Sequence, residues 1–135
     1  MINNQDRKEE IVESWNAVRK LQNSLVRCWM SPGGGMINER APDETYNLPF
    51  VLAYAVLDNV LSELREQGDI KSKSWMLGAK MEASKDVLPW KNYDLVYNGK
   101  EDRNKLAHDA ELIEKSECIK LIDAIEIELK EWGIL

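Results

Sequence analysis

The sequence is poor in the residues that build metal and nucleophile sites. It has one histidine, His108, and two cysteines, Cys28 and Cys118, set far apart in separate apolar stretches. Two isolated thiols supply neither a disulfide framework nor the paired-cysteine knuckle of a zinc site, so no metal and no cofactor is expected. No serine sits in a Gly-x-Ser-x-Gly elbow. The run Gly33-Gly34-Gly35 lacks the Gly-Lys-Ser/Thr that would make it a phosphate cradle, and it reads as a flexible loop. The longest uninterrupted apolar run, residues 48–57, is about half of what a bilayer span needs. The opening Met1-Ile2-Asn3-Asn4-Gln5-Asp6-Arg7 has no apolar signal segment. A cytoplasmic chain with reduced thiols and no membrane partner is expected.

Excess basic charge is also missing. The formal net charge is −6, which argues against broad, non-specific nucleic-acid binding. The acidity is uneven, however. Residues 109–135 carry eight acids and three bases, whereas residues 68–108 carry six acids and eight bases. A small basic site on an acidic protein is compatible with that distribution.

Against these absences stand 44% hydrophobic and 31% charged residues, a globular balance that excludes disorder. A chain of 135 residues makes one domain, over 1–135, and buries roughly 65–70% of its unfolded surface. Helical periodicity dominates. Ile11, Trp15, Val18, Leu25 and Trp29 form one stripe, predicting a helix over 5–29 that ends at Ser31-Pro32-Gly33. A polar loop follows to about residue 47. A second helix is predicted over 48–68, with Pro49 in its first turn and Gly68 as its stop. Its first half is apolar on every side, as for a helix surrounded by protein. A weaker helix is predicted over 72–88, stopped by Pro89, and another over 92–108, in which Asn98-Gly99 could form a turn. Cys118, Ile122, Ile125, Leu129 and Trp132 predict the last helix over 114–132, with its acids on a solvated face. The fold class is therefore all-α, an antiparallel bundle of four to five helices.

The chemistry concentrates in Asp102-Arg103-Asn104-Lys105-Leu106-Ala107-His108-Asp109. Asn104 and His108 are four apart and share a helical face. Arg103 lies about 140° around the helix from His108, within swing of a long side chain. An imidazole moves protons near neutral pH, a guanidinium binds phosphate through a fork of donors, and an amide orients either neighbour. The plain alternative is a histidine that complements the helix dipole and an arginine paired with a nearby acid. Tyr97 and Trp90 could stack a base, although such side chains more often pack in cores or interfaces.

Arg103-Asn104-Lys105-Leu106-Ala107-His108 resembles the Arg-polar-x-x-x-His signature of the HEPN superfamily, the higher eukaryotes and prokaryotes nucleotide-binding domains. The segment from Leu52 to Leu61 resembles that family's earlier buried helix, with Asp58 as the acid after the apolar run. The resemblance covers roughly residues 48–135. It implies metal-independent cleavage of RNA through attack of the 2′-hydroxyl, in a toxin or defence component. His108 would move the proton, Arg103 would stabilise phosphate charge, and Asn104 would orient either one. It also implies a homodimer whose paired motifs face one cleft, with RNA or a nucleotide as ligand and a cognate inhibitor protein as a further partner. The alternative within the same fold is a catalytically silent module that binds nucleotide, nucleic acid or a protein. Asp58 has two readings: a supporting residue bonded to Arg103 or Asn104, or an exposed acid at the helix rim.

Overall fold

The computed structural model describes residues 2–135. The first helix, α1, runs Gln5–Ser24 and is capped by Asn4, whose side-chain oxygen accepts the Arg7 N–H at 3.2 Å. Ile11, Trp15 and Val18 are its buried stripe, as the periodicity predicts.

The predicted continuation of α1 to Trp29 is wrong. The chain leaves the helix at Leu25 and forms an antiparallel ribbon, β1 Val26–Met30 with β2 Met36–Arg40, in which Trp29 faces Ile37. Trp29 falls on the helical stripe by coincidence of its four-residue spacing from Leu25. Its real partner lies across a turn. Ser31 through Gly35 make that turn: Ser31 N–H donates to the Gly35 carbonyl at 2.7 Å, and Gly34 takes φ +89°, which suits a residue with no Cβ. The glycine run is thus a hairpin tip, and part of the polar loop predicted to residue 47 is strand.

A short 3-10 turn, Asp43–Tyr46, leads into α2, Asn47–Glu66. Helix α2 is the axis of the fold. Phe50, Ala53, Tyr54, Val56, Leu57, Val60, Leu61 and Leu64 are buried on it. Every other helix packs against it. It is not enclosed all round, because Leu48, Val51 and Ala55 stay exposed along one face. Gly68, at φ +90°, follows its end as predicted.

The predicted helix over 72–88 shrinks to α3, Leu77–Ser84. Its first turn is lost to serine bonding: Ser72 Oγ donates to the Ser74 carbonyl at 2.8 Å, and Ser74 Oγ accepts the Met76 N–H at 3.2 Å.

Helices α4, Tyr93–Asp109, and α5, Lys115–Glu131, complete the bundle. Asn98-Gly99 is no turn. Helix α4 runs through it, and Gly99 is buried where a Cβ would stand 2.2 Å from Tyr54 Oη and 2.7 Å from Leu121 Cδ2. Glycine there lets α4 approach α2 and α5 closely, and Tyr54 Oη donates to the Val96 carbonyl at 2.8 Å. Burial holds the Tyr54 phenol far above its ordinary pKa, so it remains a donor.

One acid of α5 departs from the predicted solvated face. Glu128 is fully buried, and its carboxylate accepts the Lys91 and Asn92 N–H groups at 2.6–3.0 Å. It thereby fixes the entry to α4, beside Trp90, which packs edge-on against Tyr93 and Trp132. At the other end of α4, buried Asn47 ties down the loop to α5. Its amide accepts the Ile113 N–H at 2.9 Å and donates to the Ile113 carbonyl at 3.0 Å. Both ends of the motif-bearing helix are therefore held by side chains from other elements. Among the described residues the fold is a five-helix, all-α bundle with one small ribbon, and no helix is long and apolar enough to cross a membrane.

Candidate functional site

The last turns of α4 carry Arg103, Asn104 and His108 in continuous helix, as expected. Arg103 is half-buried. Its Nη1 donates to Asn104 Oδ1 at 3.2 Å, and among the described residues no carboxylate lies within ion-pair distance of it. A guanidinium that is partly desolvated and held by a neutral amide keeps its charge available for an incoming anion.

Arg103 opens onto a groove of about 400 Å³ between α2 and α4, lined by Val51, Ala55, Asp58, Arg103, Leu106 and Ala107. The groove is the open face of α2 met by the last two turns of α4. Its floor is apolar and its two charged walls are Asp58 and Arg103.

Asp58 faces that groove, but neither predicted partner bonds to it. Its Oδ1 pairs with Lys80 Nζ at 2.5 Å, without the alignment of a hydrogen bond. The Lys80 ammonium is buried, at 2% side-chain exposure, and donates to Ser62 Oγ at 2.6 Å. Burying a lysine is expensive unless it is paired, and α3 presents this one to the core between Leu77 and Met81. The alternative reading of Asp58 as a freely exposed rim acid fails too, since only part of it reaches solvent.

His108 lies outside the groove. It is exposed on the last turn of α4 and has no hydrogen-bond partner among the described residues. Ala110, at φ 51°, ends the helix two residues later. Within one chain, then, Arg103 is brought together with Asn104 and, across the groove, with Asp58. His108 is not brought to them by any bond.

Lys105 and Asp109 are exposed to solvent. Tyr97 stacks on Tyr93 at 5.4 Å and donates its hydroxyl to Glu82 Oε1 at 2.6 Å, which occupies its ring and its oxygen in packing. The Glu82 bond is the main cause that raises its pKa. Lys100 sits over the same ring at 4.5 Å and bonds Glu101 at 2.8 Å, which lowers the Glu101 pKa.

Sequence reasoning missed Lys80 and Ser62. The available signal was a lysine on the apolar side of a helix, at the spacing of Leu77, Met81 and Ser84. Among the described residues no group of three or more His, Cys, Asp or Glu side chains is placed to hold a metal ion. In comparisons with protein-family models, with curated proteins and with solved structures, no match to this chain is found.

Proposed function

We propose that this chain is a metal-independent endoribonuclease that acts as a homodimer. The observation that carries the reading is the half-buried Arg103 guanidinium, free of any carboxylate, on a groove beside the exposed apolar face of α2. The resemblance of Arg103-Asn104-x-x-x-His108 to the HEPN signature supports the same chemistry.

RNA carries its own nucleophile in the 2′-hydroxyl. That oxygen loses its proton to an imidazole and bonds to the adjacent phosphorus. The bond from phosphorus to the 5′-oxygen breaks, and the leaving oxygen takes a proton from a second imidazole. The products are a 2′,3′-cyclic phosphate and a 5′-hydroxyl. Arg103 acts on the charge that builds on the non-bridging oxygens, and Asn104 fixes the guanidinium.

One chain has one histidine, and it is not among the residues that line the groove. A two-fold partner seated at the Leu48 end of the α2 face, clear of the groove residues Val51 and Ala55, supplies the second imidazole by symmetry. Cleavage of unstructured RNA in EDTA tests the reading. Wild type is expected to give cyclic phosphate ends. Folded Arg103→Ala and Asn104→Ala, Arg103→Ala being the more severe, are expected to lose most of the rate, and His108→Ala nearly all. Intact RNA after incubation with wild type contradicts it.

The position of His108 outside the groove favours a second reading. In it the chain is a module that binds RNA or a nucleotide at Arg103 without cleaving. Binding by wild type with no cleavage at any pH identifies that case.

A further inference from the structure

The basic stretch ahead of α3 has no part in the chemistry above. Residues 71–81 contain Lys71, Lys73 and Lys80 and no acid, on a chain whose net charge is −6. Within it Trp75 is 58% exposed, although tryptophan is costly to leave in water. The indole is not loose. The Arg65 guanidinium lies against one ring face, 3.8 Å from the centroid. Arg65 is fixed in turn, because its Nε donates to the Ser72 carbonyl at 2.6 Å. The Ser72–Ser74 bonding that shortens α3 is what presents the ring in this setting. Lys71 and Lys73 flank it, exposed and without ion pairs among the described residues.

We infer that Trp75 is a stacking platform for one unpaired base of single-stranded RNA, with Lys71 and Lys73 taking the flanking phosphates. A rigid aromatic face backed by a cation, beside free lysines, is the combination that binds single strands without reading sequence. Its place in the fold connects it to the groove. Lys80 Nζ lies 5.9 Å from the Trp75 ring centroid and pairs with Asp58 Oδ1 at 2.5 Å. The buried Lys80 ammonium is therefore near both the Trp75 ring and the groove wall formed by Asp58. Lys80 also neutralises Asp58, an acid that would repel a phosphate in the groove. The inference rests on the reading of the Arg103 groove as an RNA site, and it makes the substrate an unpaired strand at that step.

The test uses a fluorescein-labelled hexauridine with 2′-O-methyl riboses, which cannot undergo 2′-hydroxyl attack, in anisotropy titrations over a salt series. Loss of one base stack is expected to weaken Trp75→Ala binding about ten-fold, with most of it retained in Trp75→Phe. Lys71→Ala/Lys73→Ala is expected to make the salt slope shallower by about 1.4, two phosphate contacts on a single strand. On cleavable RNA, Trp75→Ala is expected to raise KM and leave kcat in place. Unchanged affinity in Trp75→Ala overturns the platform while leaving cleavage standing. Platform binding by a wild type that never cleaves keeps the platform and removes the nuclease. Failure of wild type to bind the oligonucleotide, or a Trp75→Ala effect on self-association alone, overturns the platform and makes the face a protein contact.

Discussion

The Asp58–Lys80 pair should respond asymmetrically to loss of its two members. Asp58→Ala strands an ammonium that is 2% exposed and retains only the Ser62 hydroxyl as a bonded partner. Removing one side of a buried pair costs about 3–5 kcal/mol, and the retained hydroxyl puts this case near the lower limit, about 3 kcal/mol. Lys80→Met leaves the buried Asp58 Oδ1 without its partner, but the side chain is 34% exposed on the groove, so water still solvates part of the carboxylate. The methionine fills the lysine's apolar stem space beside Leu77 and Met81. That substitution is expected to cost about 1 kcal/mol, the lower end for one buried acceptor left unpaired. With a urea slope of about 1.5 kcal/mol per molar, the midpoints fall by about 2 M and by about 0.7 M respectively. Urea denaturation followed by far-ultraviolet circular dichroism reads both. Equal losses, or a larger loss in Lys80→Met, would refute the reasoning that burial of the ammonium sets the cost. A Lys80→Met protein also lets Asp58 compete for Arg103, so its affinity for inorganic phosphate should drop and recover in Lys80→Met/Asp58→Asn.

Two further predictions concern packing and pH. Gly99→Ala places a methyl 2.2 Å from Tyr54 Oη and 2.7 Å from Leu121 Cδ2, and overpacking of this kind costs about 1–3 kcal/mol. A thermal midpoint equal to wild type would show that α4 does not approach α2 and α5 as closely as described. Glu126 is the second: burial alone would raise its pKa, but hydrogen bonds from Arg19 and from Trp15 Nε1 outweigh that and hold it below the ordinary carboxylate value. A depressed acid contributes stability that is present above its unfolded pKa, about 4.3, and lost as pH falls through the folded value. Glu126→Gln should therefore be less stable than wild type at pH 7, and the gap should close below about pH 4 in urea midpoints taken across that range. A gap independent of pH would mean the bonds do not depend on the charge.

What could be read in the sequence and what could not divide along physical lines. Helices α2, α4 and α5 were legible because long amphipathic periodicity is a local property, and their observed ends lie within about two residues of those expected. The ribbon was not, because β1 borrows its identity from β2 across a turn, and Met36 to Arg40 alternate too weakly to read as strand. Gly99 looked like a turn because a glycine's reason for being in a helix, here the Tyr54 hydroxyl, sits on a residue 45 positions away. The site was half legible. Arg103 and Asn104 stand together on one helix by spacing alone. The real partner of Asp58 was not legible, since the choice between Arg103 and Lys80 depends on how α3 packs. The five-residue step from Arg103 to His108 also had two outcomes by spacing, and in one chain the imidazole ends up outside the groove.

A single histidine per chain makes the second copy the central claim. It is tested most directly by mixing wild type with His108→Ala, exchanging subunits to equilibrium, and measuring RNA cleavage against the fraction of wild-type chains. A site that needs an imidazole from each protomer loses activity as the square of that fraction, so an equal mixture should retain about a quarter of the full rate. A straight line, with half the rate at an equal mixture, would mean that each chain cleaves alone and would contradict the shared site.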